Sequence, residues 1–263
     1  LSGDFSEKEG GDLLIDVLGS MKTEYLSVNP KSALNKISSP DIPMDFSINP
    51  YQGCEHGCSY CYARPSHEYW SYNAGVDFER KLLYKVNAVE LLQKTFAKRS
   101  YVPKPIALSG NTDCYQPVES KLKLTQAILE TCLLHKHPVQ ILTKNALILR
   151  DADLLSELAK NNLVSVSFSI NSLDESLRMA MEPRTSTIKN RLKALNILAE
   201  RGIPSSAIMG PIIPALNSHE ILNVMAEVAK AGGIGVGMTI IRLNDTVAPV
   251  FEDWVRTHYP QRA

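Results

Sequence analysis

From residue 46 onward, short β-prone runs alternate with stretches whose apolar residues recur every three or four positions. The runs are DFSINPY, PIALSG, VQILTK, LVSVSFSI, PSSAIMG and GVGMTIIRL. Between them, Ile188, Leu192, Leu195 and Ala199 share one helical face, and Gly202 follows as a stop signal. Ile221, Met225 and Val228 do the same before Gly232, and Leu124, Ile128, Cys132 and His135 fall on one side of a further helix. Strand and helix alternating six times predict a parallel α/β sheet with right-handed crossovers, either open or curled into a partial barrel. Residues 1–45 do not join this rhythm. SEKEGGD is polar, and SVNPKSALNKISSPDIP is interrupted by three prolines. The segment reads as an irregular, partly disordered N-terminal arm that wraps a core domain spanning 46–263.

Composition narrows the function classes. Apolar residues make up 44% of the 263 positions and charged residues 21%, as expected of a globular chain with a substantial core. The formal net charge is zero, so no global basic field advertises nucleic-acid binding, although a local groove stays open. No apolar run is long enough for a transmembrane helix, and no signal-peptide pattern opens the chain. The first residue is Leu1 rather than Met, which reads as a fragment of a longer protein. Five cysteines, an odd number with three inside one short loop, argue for a reducing, cytoplasmic setting.

In parallel α/β folds, function gathers at the carboxyl edge of the sheet. The first strand runs into Gly53 and Cys54. The second ends at Ser109, Asn111, Thr112 and Asp113, the third at Thr143 and Lys144, and the fourth at Ser169 and Asn171. The fifth leads into GPIIPALN and the sixth into Arg242. A sheet held only by packing does not need so many polar side chains at one edge.

The first of these edges carries the chemistry. NPYQGCEHGCSYCYARPSHEYW places Cys54, Cys58 and Cys61 in a C-x3-C-x2-C spacing. A structural zinc site wants four ligands. His56 is awkwardly placed between two of the cysteines, His67 is freer, and Cys114 would have to come from another loop. A [4Fe–4S] cluster normally takes four thiolates. Three thiolates leave one iron open to a substrate or cofactor, as the vacant position does on catalytic zinc. Gly53 and Gly57 let the loop turn tightly, and Tyr60 and Tyr62 flank Cys61 as packing surfaces.

With its aromatic residue just before the third cysteine, this loop resembles that of the radical S-adenosylmethionine (radical SAM) superfamily. TDCYQPVE, LTKNALILRD, MEPRTST and RLNDTVAPVFEDW, with the cysteine block, resemble its spore photoproduct lyase-related, DNA repair photolyase-like branch over about residues 40–263. The resemblance implies a partial (β/α)6 barrel. It implies that S-adenosylmethionine chelates the open iron of a [4Fe–4S] cluster. An electron then cleaves the cofactor to methionine and a 5′-deoxyadenosyl radical, which abstracts hydrogen from substrate. A low-potential donor such as flavodoxin or ferredoxin is implied with it.

Residue by residue, Cys54, Cys58 and Cys61 match the metal ligands and Tyr60 the residue that meets the adenine. Ser109, Asn111, Thr112 and Asp113 match the loop that contacts the methionine amino group. Lys144 and Ser169 match positions that reach the methionine carboxylate or ribose, and Arg184 offers a fork suited to a carboxylate. Each has a plainer reading. Asp113 caps a helix, Lys144 is solvated, and Arg184 pairs with Glu182. Cys132 fits a core position, and His135 and His137 fit a helix end. Spore photoproduct lyases place a cysteine about three residues before the aspartate of the second loop, as hydrogen donor. Gly110 stands there in this chain, and Cys114 follows the aspartate instead. Cys114, Tyr115 and His67 are candidates for the substrate side. The catalytic residues and the substrate stay open, nucleic acid among the choices. The competing readings are an iron–sulfur electron-transfer or cluster-carrying protein without radical chemistry, and a zinc-stabilised binding module.

Overall fold

The computed structural model describes residues 22–37 and 44–262. The chain passes through β1 (Glu24–Val28), β2 (Leu34–Lys36), β3 (Phe46–Ile48), β4 (Tyr51–Gln52) and β5 (Lys81–Lys85). It continues through β6 (Ile106–Leu108), β7 (Val139–Thr143), β8 (Val164–Ser169), β9 (Ser205–Ile212) and β10 (Val236–Ile240). Strands β3, β6, β7, β8, β9 and β10 pair in that order, each parallel to the next. They coincide with the six runs expected from the sequence. Strand β2 adds an antiparallel edge beside β3. The edges β2 and β10 do not pair, so the sheet is a partial barrel and not a closed one.

Period-two alternation explains how each strand is seated. On β8, Val164, Val166 and Phe168 enter the core between sheet and helices, while Ser165, Ser167 and Ser169 take the other face. Helices Leu124–Leu134, Ala152–Lys160, Ile188–Glu200 and Ile221–Lys230 return the chain between successive strands. One expected helix face is corrected. Met225 is 41% exposed, and the stripe that packs inward is Ile221, Val224 and Val228. Helical geometry puts Met225 about 100° round from Val224, away from the sheet.

The described part of the N-terminal arm is more regular than its prolines suggest. Strand β1 pairs in parallel with β5, and β5 pairs antiparallel with β4, forming a second, three-stranded sheet beside the cysteine loop. The expected frayed start, residues 1–21, lies outside the described residues. At the other end of the chain, helix Val247–His258 folds back over the cysteine loop. Its Phe251 and Trp254 pack with Cys58, Tyr60, Leu177, Met181 and Ile213, and Trp254 Nε1 donates to the Ala180 carbonyl at 2.8 Å. Among the described residues no helix is long and apolar enough to cross a membrane.

Candidate cluster and cofactor site

The loop carrying Cys54, Cys58 and Cys61 is held mainly through its backbone. Cys54 N–H donates to the Phe78 carbonyl at 2.8 Å, and Ser59 N–H to the Met181 carbonyl at 3.0 Å. The Gln116 amide brackets the loop entrance, donating to the Gly53 carbonyl at 3.2 Å and accepting from Glu55 N–H at 3.0 Å. The Glu55 carboxylate accepts from Tyr25 of β1 and from Val118 N–H, both at 2.9 Å. Arg64, fully buried, donates twice to the Cys58 carbonyl at 3.1 and 2.9 Å and once to Glu79 at 2.6 Å. The second Glu79 oxygen takes Arg184, whose Nε also donates to the Glu55 carbonyl. With its side chain engaged at both faces, Arg184 lies against the cysteine loop, and Glu182 is not its partner.

Gly57 occupies the tightest point of this cradle. Its φ is +66°, and a Cβ there would lie 2.1 Å from Arg184 Nη2 and 2.7 Å from Glu79 Oε2. Glycine takes the left-handed backbone without strain, and a larger residue would have to push both side-chain ends aside. This turn lies between Cys54 and Cys58, within the short segment that carries all three thiols.

All five cysteines are free thiols, but only these three share a loop. Cys114 and Cys132 are fully buried in the core between sheet and helices. Burial raises the pKa of all three loop thiols, that of Cys54 to about 12, with Asp113 and Cys61 adding to the effect on Cys54. Metal binding at such thiols displaces protons, and the metal charge offsets the cost of burying thiolates. Three free thiols on one glycine-turned loop are a donor set that fits an iron–sulfur cluster. His56 is fully buried. Its Nδ1 lies 3.4 Å from Asp113 and its Nε2 3.4 Å from Asn145, and burial pushes its pKa down to about 4 against the pull of Asp113.

The strand-end residues gather around this loop. Asp113 Oδ1 accepts from Tyr115 N–H and Thr143 Oγ1, both at 2.8 Å, and Oδ2 from Lys144 N–H at 2.7 Å. Ser109 Oγ accepts from Cys114 N–H at 2.8 Å, Thr112 Oγ1 donates to the Tyr51 carbonyl at 2.7 Å, and Asn111 N–H donates to Asn49 Oδ1 at 2.8 Å. Lys144 Nζ sits 5.9 Å from the centre of the Tyr60 ring. Burial opposes its charge, but Cys58, Glu182 and Asp113 outweigh burial and raise its pKa. Ser169 Oγ lies 3.5 Å from the Gly210 carbonyl, and the Ser169 carbonyl accepts from Arg191 at 2.8 Å.

Three substrate-side candidates are placed elsewhere. Cys114 and Tyr115 point into the core between sheet and helices, with Tyr115 Oη donating to Asp151 at 3.0 Å. His67 is fully buried between the rings of Tyr72 and Phe78. In each case an aromatic or sulfur side chain next to a polar loop is taken up by packing. Sequence reasoning also missed a buried ion pair, Glu182–Arg191, at 2.6 Å with both side chains fully buried. Its signal was present. Arg191 stands beside Ile188 and Leu195, a charge within an apolar helical stripe.

The family model for the radical SAM superfamily matches residues 48–228. An uncharacterised protein of Mycobacterium tuberculosis is 33% identical over 234 residues, covering 88% of this chain and 69% of the relative. One from Methanocaldococcus jannaschii is 31% identical over 201 residues, covering 76% and 72%. Among solved structures, spore photoproduct lyase complexed with dinucleoside spore photoproduct superposes with a TM-score of 0.69 at 18% identity, covering 99% of this chain and 72% of the lyase. Streptococcus suis SuiB bound to S-adenosylmethionine gives a TM-score of 0.51 at 12% identity, covering 92% and 49%. The chain belongs to the radical SAM superfamily, whose enzymes work with a [4Fe–4S] cluster and S-adenosylmethionine.

Proposed function

We propose that Cys54, Cys58 and Cys61 carry three irons of the cluster, and that the fourth iron is left for S-adenosylmethionine at the edge formed by β6, β7 and β8. The observation that carries this reading is the isolation of the three thiols. They share one loop, and the other two cysteines are sealed in the core. When bound, the cluster would supply the electron for cleavage of S-adenosylmethionine, and with it radical chemistry on an organic substrate. The protein's own task is to hold, orient and shield. The Arg64–Glu79–Arg184 chain fixes the loop backbone, Asp113 ties the end of β7 to the loop after β6, and Phe251 and Trp254 exclude water beside Cys58. Lys144, 5.9 Å from the centre of the Tyr60 ring, would hold the cofactor carboxylate, and Ser109, Asn111, Thr112 and Ser169 would line the same edge.

The substrate class proposed first is nucleic acid, because the lyase with the similar fold was solved with a dinucleoside lesion. A reducing compartment fits five free cysteines, and a flavodoxin or ferredoxin would supply the electron. The test is anaerobic reconstitution with iron and sulfide. The expected result is about four irons per chain and 5′-deoxyadenosine on reduction with S-adenosylmethionine. Both should be lost in Cys54→Ala, Cys58→Ala and Cys61→Ala. Loss of the cluster in Cys114→Ala as well would remove the basis for an open iron.

A further inference from the structure

We propose that the buried Glu182–Arg191 pair is a positioning device. It fixes Tyr60, and through it the cysteine loop, at a set distance from the sheet edge where the cofactor is held. This inference rests on the cluster and cofactor assignment proposed above.

One oxygen of Glu182 accepts from the Tyr60 hydroxyl, and the other accepts from Arg191 Nη2 at 2.6 Å. The remaining guanidinium nitrogens are also committed. Nη1 donates to the Ser169 carbonyl at 2.8 Å and Nε to the Ser186 carbonyl at 2.9 Å, while Nη2 also reaches Thr185 Oγ1. Asn171 Nδ2 adds a 3.3 Å bond to the Tyr60 oxygen. One continuous network thus joins the loop between Cys58 and Cys61, the end of β8, the turn at 182–187 and helix Ile188–Glu200.

The energetics argue against a role in stability alone. Burying two charges carries a desolvation cost, and apolar residues of similar volume often serve as well or better. Apolar packing is available at this spot, since Tyr60 belongs to one buried cluster with Leu177, Met181, Ile213, Phe251 and Trp254. What an apolar pair cannot provide is direction. A phenol held by a carboxylate that is itself held by a guanidinium has one orientation. Tyr60 is two residues from Cys58 and next to Cys61, so its orientation sets the face that the loop turns toward Lys144, Ser169 and Asn171.

Two variants separate positioning from folding. Tyr60→Phe removes only the hydroxyl, and Glu182→Leu/Arg191→Met removes both charges together, leaving no lone buried ion. Four quantities are measured on anaerobically reconstituted protein beside wild type. They are iron and sulfide content, thermal midpoint, S-adenosylmethionine affinity, and the change in the reduced cluster's paramagnetic spectrum when the cofactor is added. Wild type should hold the cluster and show the spectral change. Both variants should keep their iron, lose no more than a few degrees of thermal midpoint, bind the cofactor roughly tenfold more weakly, and show a reduced spectral change. Unchanged affinity and spectrum in both variants would overturn the proposal. Loss of iron in Tyr60→Phe would also overturn it, because the network would then hold the cluster itself. A wild type without cluster or spectral response would instead sink the underlying assignment, whatever the variants did.

Discussion

The guanidinium of Arg184 closes on the carboxylate of Glu79 where a side chain on Gly57 would have to stand. The charges come from positions 105 residues apart in the chain, and their meeting fixes the backbone between two of the three loop cysteines. Gly57→Ala must accept a left-handed backbone, at about 1–2 kcal/mol, and must also displace Arg184 from 2.1 Å. The expected outcome is a chain that folds but loses most of its iron on reconstitution. Gly202→Ala is the control. Its φ is +73°, yet a Cβ there meets nothing within 4 Å. It should lower the thermal midpoint by a few degrees and leave iron content unchanged.

Asp113 has a structural burden beyond any contact with a cofactor. Its two oxygens hold Tyr115 N–H, Thr143 Oγ1 and Lys144 N–H. Asp113→Ala strands these donors at a half-buried edge and should cost about 3 kcal/mol in urea unfolding of the cluster-free protein. Asp113→Asn retains one accepting oxygen for Tyr115 and Thr143 and should cost less than half as much. Equal stability of Asp113→Ala and wild type would leave the carboxylate with a ligand role only.

The parts legible in the sequence are those fixed by local pattern. The six parallel strands could be read because Val, Ile, Leu and Phe alternate with small polar residues, as on β8, and because helical stripes separate them. The shared loop of the three cysteines could be read because their spacing is a local property of the chain. Strands β1, β4 and β5 could not. KLLYK in β5 is a short run between lysines, and its partners lie far away in the chain, so its strand state depends on tertiary pairing. The pairings in the Arg64–Glu79–Arg184 chain and the Tyr60–Glu182–Arg191 network were hidden for the same reason. Arg191 stands out as a charge within an apolar helical stripe, but the other charges alone look like solvated surface residues, and only folding brings the partners together. The placement of Cys114 and Tyr115 inside the core shows the converse. A polar-looking loop can send its aromatic and sulfur side chains inward while its aspartate stays at the edge.

A pH dependence far from the cysteine loop follows from His137. The ring is fully buried, stacks on Phe96 at 4.2 Å, accepts from Tyr101 Oη at 2.8 Å through Nε2, and donates through Nδ1 to the Pro138 carbonyl at 3.0 Å. Burial lowers its pKa below 6.5, with the Pro138 bond opposing and His135 adding to the effect. The unfolded chain therefore binds the proton more readily than the folded one. The stability contributed by the neutral ring is fully present above pH 6.5 and declines as pH falls toward the folded value. Urea midpoints of wild type should fall between about pH 7 and pH 5 more steeply than those of His137→Gln. Parallel slopes would show that His137 does not couple folding to protons.

Cys114 should be dispensable for the cluster and unable to serve as a hydrogen donor at the open edge. In spore photoproduct lyases, by the resemblance, a thiol before the second-loop aspartate quenches the thymine radical. Gly110 stands at that place in this chain. A Cβ there would point at Ser47 Cβ, 3.0 Å away, and the Gly110 carbonyl is capped by the Tyr62 hydroxyl. Cys114 lies beyond Asp113 and is fully buried among the apolar residues between sheet and helices, with its N–H tied to Ser109 Oγ at 2.8 Å. Bringing its sulfur to the sheet edge would break that bond and open the core, which a reaction dependent on sub-ångström positioning does not allow. Reduced, cluster-loaded protein should therefore convert dinucleotide spore photoproduct to thymines no faster than the Cys54→Ala variant. Cys114→Ala should retain full iron and form 5′-deoxyadenosine at the wild-type rate. Repair well above the Cys54→Ala background would overturn this expectation, and its loss in Cys114→Ala would assign the donor to a thiol that the fold holds in its core.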